Sequence, residues 1–177
     1  LLTSPTARTT AGVEHQAEGF AVVHQADATT GSSHRAGAIL GDTEFQLDSG
    51  SAEIHFFSGA RLSVVGPARL QIGSAWDATC HLGRIRVDVP PAAQGFRVHT
   101  ASSEIVDLGT SFGMEVDAAG DATLHVFDGS VTYQHRSENV RLLEGGQTSI
   151  LPRSDDSRPG DAPAWDARPQ ESNGTQD

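Results

Sequence analysis

A chain of 177 residues is long enough for one domain with a tail, and a core of that size needs neither a disulfide nor a metal to hold it. A formal charge of −11, with all 12 basic residues arginine, repels phosphate backbones and anionic lipid and so argues against nucleic-acid or membrane-surface binding. The single cysteine, Cys80, excludes an internal disulfide and a cysteine metal cluster, and is expected to be a small buried apolar residue.

In chain order, residues 1–11 are rich in Thr, Ser and Ala and read as a linker or flexible arm. Residues 12–151 are expected to form one all-β domain of many short strands. Ser51–Phe57 turns Ala52, Ile54 and Phe56 to one side. Leu62 with Val64, and Leu70 with Ile72, repeat the alternation. Asp77–Leu82 sets Ala78, Cys80 and Leu82 inward. Arg84–Val89 is the clearest strand, with Ile85, Val87 and Val89 inward and Arg84, Arg86 and Asp88 outward. Phe112, Met114 and Val116, then Leu124 with Val126, then Val131 with Tyr133, continue the series. Gly50, Gly59, Gly66, Gly73, Gly83, Gly95, Gly109, Gly120 and Gly129 fall between or at the ends of these runs and are expected to supply turns, most strongly at Gly66-Pro67 and Asp128-Gly129. No helical stripe of ten residues appears. The spacing suits a sandwich, a barrel or a solenoid, and no strict repeat selects the solenoid. Residues 152–177 carry Pro152, Pro159, Pro163 and Pro169 and little apolar surface beyond Trp165, so they are expected to be a disordered tail or an interdomain linker. No run of eighteen apolar residues exists, so no membrane-spanning segment is expected; no export signal and no initiator methionine open at Leu1, which suits a fragment of a longer protein.

The residues offer little for catalysis. The eight histidines (His15, His24, His34, His55, His81, His99, His125 and His135) include no His-x-His pair and no His-Glu-x-x-His helix, so no metal is expected. No Gly-x-Ser-x-Gly elbow is present, and Glu53, Glu104, Asp107 and Glu115 have no spacing that singles out a carboxylate pair. The glycines are not followed by helices, so no phosphate loop or cofactor is expected. In Asp107-Leu108-Gly109-Thr110 a short acid and a hydroxyl flank a glycine, a combination suited to a structural turn. Phe57 and Phe127 fall on the phase opposite the core, where large apolar side chains are otherwise sparse, and are candidates for a protein-binding surface. Edge strands near either end of the domain can dock another chain by strand addition.

Five stretches in order carry a family resemblance: Ser49–Ile54 with Ser58–Leu62 and Gly66–Ala68; Gly83–Pro90; Gly95–Val98; Val106–Gly113; and His125–Val131 with Leu143–Gln147. Together they resemble the FecR domain, closest to members of planctomycete and verrucomicrobial type. The resemblance implies a non-enzymatic extracytoplasmic sensor or interaction domain in a sigma-factor (anti-sigma) regulatory system. It implies a protein partner in the cell envelope and a periplasmic or extracellular location, tethered to the cytoplasmic membrane in the full-length protein. The link to iron uptake is not carried over, since sigma-binding helices, a membrane span and a C-terminal signalling subdomain are not seen. The alternative is a structural or adhesive surface module beside a carbohydrate-binding domain.

Overall fold

The computed structural model of the chain describes residues 19–27 and 35–153. Expectations for residues 1–18 and 154–177, and for His15, His34 and Trp165, lie outside the described residues.

The described residues are almost wholly strand. In order they are β1 (Ala21–Ala26), β2 (Ile39–Leu40), β3 (Thr43–Leu47), β4 (Ser51–Phe56), β5 (Arg61–Ser74) and β6 (Asp77–Asp88). A single 3-10 turn at Pro91–Ala93 leads to β7 (Arg97–His99), β8 (Ser103–Asp107), β9 (Ser111–Val116), β10 (Ala122–Asp128), β11 (Ser130–His135), β12 (Arg141–Glu144) and β13 (Thr148–Leu151). All thirteen belong to one open hydrogen-bonded sheet, antiparallel except where β7 runs beside β6. The all-β reading of the alternation is correct.

The sheet is bent at β5 and β6. Residues 61–65 of β5 pair with β4 and with the second half of β6, whereas residues 68–72 pair with β3 and residues 69–74 with the first half of β6. The register skips between Val65 and Arg69, opposite Gly83. A first arm therefore runs β2-β1-β4-β5-β6-β9-β10-β13, and a second runs β3-β5-β6-β7-β8-β11-β12. The arms face one another, as in a sandwich. Phe56 of the first meets Phe96 beside the second edge-on, with ring centroids 4.7 Å apart. Ser149 Oγ of the first donates to the Tyr133 hydroxyl of the second at 3.0 Å. One cluster, with Phe45, Ile54, Leu62, Leu70, Phe96 and Phe112 fully buried, fills the space between. Each such side chain contributes about 1.5–3 kcal/mol.

Two details depart from the sequence reading. Gly66-Pro67, Gly73 and Gly83 were expected to separate strands, yet they lie inside β5 and β6. A glycine allows a bend as readily as a reversal, and alternation on either side of it cannot tell the two apart. The inward phase is even throughout β5 (Leu62, Val64, Ala68, Leu70, Ile72) but switches in β6 from Ala78 and Cys80 to Ile85 and Val87. Leu82, expected inward, sits at that switch and is only half-buried.

Cys80 is buried, and burial pushes its thiol up to about 12, against a weak contact from Sγ to the Leu82 carbonyl. The thiolate is the reactive form. A thiol reagent at pH 8 is therefore expected to leave the folded protein unlabelled and to label one equivalent in denaturant. Stoichiometric labelling of the folded protein would contradict this burial.

Candidate functional site

The two outer faces of the bent sheet differ in chemistry. On the second arm one row of six cross-strand neighbours reads Glu44, Gln71, Thr79, His99, Glu104 and Gln134, all polar. Within and beside it, Glu44 pairs with Arg69 at 3.5 Å, Gln71 bonds Asp42 at 2.7 Å, and His99 lies 4.0 Å from Glu104. The first arm displays Ile39, Phe57, Val65, Phe127 and Ile150, all exposed, whereas the second arm's exposed apolar strand residue is Leu142 on its edge strand β12, with Trp76, Leu108 and Val140 exposed in turns.

Register places the first-arm residues in rows. One row is Glu53, Ser63, Arg86, Gly113, His125 and Thr148; the next is Ser51, Val65, Arg84, Glu115, Thr123 and Ile150. A groove of about 520 Å³ lies across β5, β6, β9 and β10 over these rows, within the range of small-ligand clefts. Gly113 forms its floor, because it alone in the middle of its row has no side chain. Phe127 leans over that floor: a Cβ at Gly113 would stand 3.1 Å from two carbons of its ring. Alternation turns Phe127 outward with Thr123 and His125, and the pairing of β10 with β9 shifts between Val126 and Asp128. The Arg86 guanidinium lies 4.8 Å from the ring centroid, and His125 meets the ring edge-on at 4.8 Å. Phe127 thus covers the bare backbone at Gly113, as aromatic side chains do for strand glycines, and still leaves 46% of itself exposed.

Charge on this face is mixed. Arg84 pairs with Glu115 at 3.3 Å, and Arg86 pairs with Asp88 at 3.3 Å and donates to Ser111 at 2.9 Å. These pairs are exposed, so each is worth under about 1 kcal/mol. Toward β1 the His24 and His55 rings stack with centroids 4.2 Å apart, and His55 Nε2 meets Glu53 Oε1 at 2.5 Å. That hydrogen bond holds the Glu53 carboxyl below its ordinary value, against a smaller opposing effect of burial. Among the described residues no three His, Cys, Asp or Glu side chains converge as a metal-binding set.

Phe57 follows β4 and is 59% exposed; its ring and Ile39 both border Gly19. Phe57 and Phe127 share the first-arm face but do not meet. Four strand spacings, from β4 to β10, separate them by roughly 19 Å. Asp107, Gly109 and Thr110 lie elsewhere, in the turn between β8 and β9. Asp107 is fully buried and its Oδ2 accepts the Gly109 N–H at 2.7 Å, while the Thr110 hydroxyl donates to the Ser130 carbonyl. The side chains of Asp107 and Thr110 are therefore engaged with the turn's own backbone and with β11.

Sequence reasoning missed the groove, Ile39 and Ile150. One signal for the groove was present: Gly113 interrupts an otherwise regular strand between Phe112 and Met114, which marks a close approach by another group. No signal exists for the diagonal position of Phe127, which depends on pairing β9 with β10.

Comparison with known proteins gives a family from the sequence and a related fold from solved structures. The family model described as "FecR protein" matches residues 26–132. Two crystal structures of a candidate anti-sigma factor from Parabacteroides distasonis ATCC 8503, at 1.65 and 2.50 Å resolution, match with a TM-score of 0.56 and 15% identity. Each match covers 64% of this chain and 56% of the other, so the chain spans little more than half the length of those proteins. No curated protein sequence matches the chain.

Proposed function

Because the chain belongs to the FecR family, we propose that it is a non-enzymatic, extracytoplasmic interaction module of a sigma-factor regulatory system, and that it docks a protein of the cell envelope on the outer face of its first arm. The observation that carries the docking surface is the difference between the two outer faces. The first arm gathers five exposed large apolar side chains, two of them aromatic, around mixed charges, whereas the second arm's central row is all polar and its exposed apolar strand residue, Leu142, stands alone on the edge strand. Mixed charge with aromatic anchors is the composition of transient protein interfaces.

Catalysis is the weaker reading. The one buried carboxyl among the described residues is engaged with its own turn, and the groove's His125 Nδ1 lies 2.7 Å from the hydroxyl of Thr148, its cross-strand neighbour. A net charge of −11 disfavours nucleic acid. No helix among the described residues is long and apolar enough to cross a membrane.

The experiment is a capture of detergent-solubilised envelope proteins by the wild-type domain and by Phe57→Ser and Phe127→Ser variants, each first checked for an unchanged thermal midpoint. Hot-spot aromatics cost more than 1 kcal/mol on truncation, so affinity for a specific partner is expected to fall about tenfold. Identical partner lists for all three proteins, or sugar released from a polysaccharide panel by the purified domain, would sink this reading.

A further inference from the structure

Asp107 is the only acidic side chain among the described residues that is wholly removed from solvent. Its two oxygens are unequal: Oδ2 accepts the Gly109 N–H, and Oδ1 has no hydrogen-bond partner. The turn it occupies joins four parts of the sheet. The Asp107 N–H donates to the Phe96 carbonyl at 2.9 Å, and its own carbonyl accepts the Gly95 N–H at 3.0 Å. Leu108 N–H donates to the Ser130 carbonyl at 3.1 Å, and the Thr110 carbonyl accepts the Val89 N–H at 2.9 Å. Thr110 leads directly into Ser111, whose hydroxyl donates to Asp88 on the proposed docking face.

We propose that Asp107 is a proton-operated pin: with a proton on its carboxyl the joint between β6, β7, β8 and β11 is held shut, and on ionisation the joint loosens at the start of β9. An ionised carboxylate with one oxygen lacking a donor is costly inside a protein, and a neutral carboxyl much less so. The simplest relief for the ionised group is local opening that lets water reach Oδ1.

Nothing charged offsets the ionised form. The packed neighbours are Gly95 and Phe96 ahead of β7, Val89 after β6, and Gly129 and Ser130 at β11. The nearest charged residues along those segments are Arg97, Asp88 and Asp128, and all three direct their side chains away from the core, with Asp88 engaged by Arg86. Burial accordingly pushes the Asp107 carboxyl above its ordinary range, against smaller opposing effects of the nearby Thr110 dipoles and of the Gly109 N–H. The folded joint then binds a proton more tightly than the unfolded chain does. Its stabilising contribution is complete below the unfolded value of about 3.9, and is lost as pH rises through the higher folded value. The joint is tight in acid and loosest at neutral pH.

The test needs no partner, so its outcome is separate from the docking proposal. Carboxyl-carbon NMR of the wild-type domain is expected to give Asp107 a titration midpoint above that of an ordinary aspartate. Amide exchange, corrected for intrinsic pH dependence, is expected to show Leu108, Gly109 and Val89 opening more often at pH 7 than at pH 4.5, by a factor set by the measured Asp107 midpoint. In Asp107→Asn, which keeps an oxygen for Gly109 and cannot ionise, the same amides should open at the low frequency at both values of pH. An Asp107 midpoint at or below the ordinary value would overturn the proposal, as would an unchanged pH dependence of opening in Asp107→Asn. If the variant does not fold, the wild-type carboxyl titration decides alone.

Discussion

Val87→Asp is expected to unfold the domain, or nearly so, while Arg86→Ser moves its thermal midpoint by no more than a few degrees. The two residues are adjacent on β6 and point to opposite faces. Val87 is fully buried, between Leu62 of β5 and Phe112 of β9, both also fully buried. A carboxylate there has no partner and costs several kcal/mol, a large share of the roughly 5–15 kcal/mol that holds a domain together. The Arg86 side chain is 52% exposed and makes an exposed ion pair, a hydrogen bond to Ser111 and a contact with the Phe127 ring. Losing these should cost about 1 kcal/mol or less. Urea denaturation of both variants checks the pair. Equal losses would mean that β6 does not present alternate faces to core and solvent.

That pair could be chosen from the sequence, because a half-buried strand writes its register into a period of two. Ile85, Val87 and Val89 stand among Arg84, Arg86 and Asp88, and only one phase can be buried. The same logic located Ala52, Ile54 and Phe56, and it set Phe57 and Phe127 outside. Alternation is a local property, however, and carries no information about which strands pair. The groove depends on β5, β6, β9 and β10 being consecutive neighbours, and β9 reaches β6 only after two intervening strands have gone to the other arm. His135 illustrates the same limit. It was one of eight scattered histidines, yet it is buried with Nδ1 2.8 Å from Ser103 Oγ, because β11 pairs with β8. The bend in β5 and β6 was hidden for a different reason. Glycine marks where the chain departs from a straight strand, but the sign and size of that departure are set by what packs behind it.

Gly83→Val is expected to be about as damaging as Val87→Asp, and for a reason that acts on the whole architecture. Gly83 sits at φ +110°, in the left-handed region that a β-branched residue enters at a cost of about 1–3 kcal/mol. A Cβ there would stand 2.8 Å from both the Ala68 Cα and the Pro67 carbonyl oxygen, and 2.6 Å from the Ala68 Cβ. Two of those three atoms are backbone, so the overlap cannot be relieved by a rotamer change and adds about 1–3 kcal/mol. Relief would require β5 and β6 to separate where the sheet bends, which would disturb the facing of the two arms. The contacts between Phe56 and Phe96, and between Ser149 and Tyr133, depend on that facing. Gly113→Ala is the informative control. Its backbone is not left-handed, and the added methyl would be crowded by the Phe127 ring at 3.1 Å, an exposed side chain at the surface, while the Ile85 carbonyl at 3.7 Å is an ordinary contact. It should cost about 1 kcal/mol or less while changing the shape of the groove. Denaturation midpoints for the two variants test the difference directly. A Gly83→Val protein as stable as Gly113→Ala would show that the bend yields to a side chain, and that the arms do not depend on the close approach of Gly83 to Ala68.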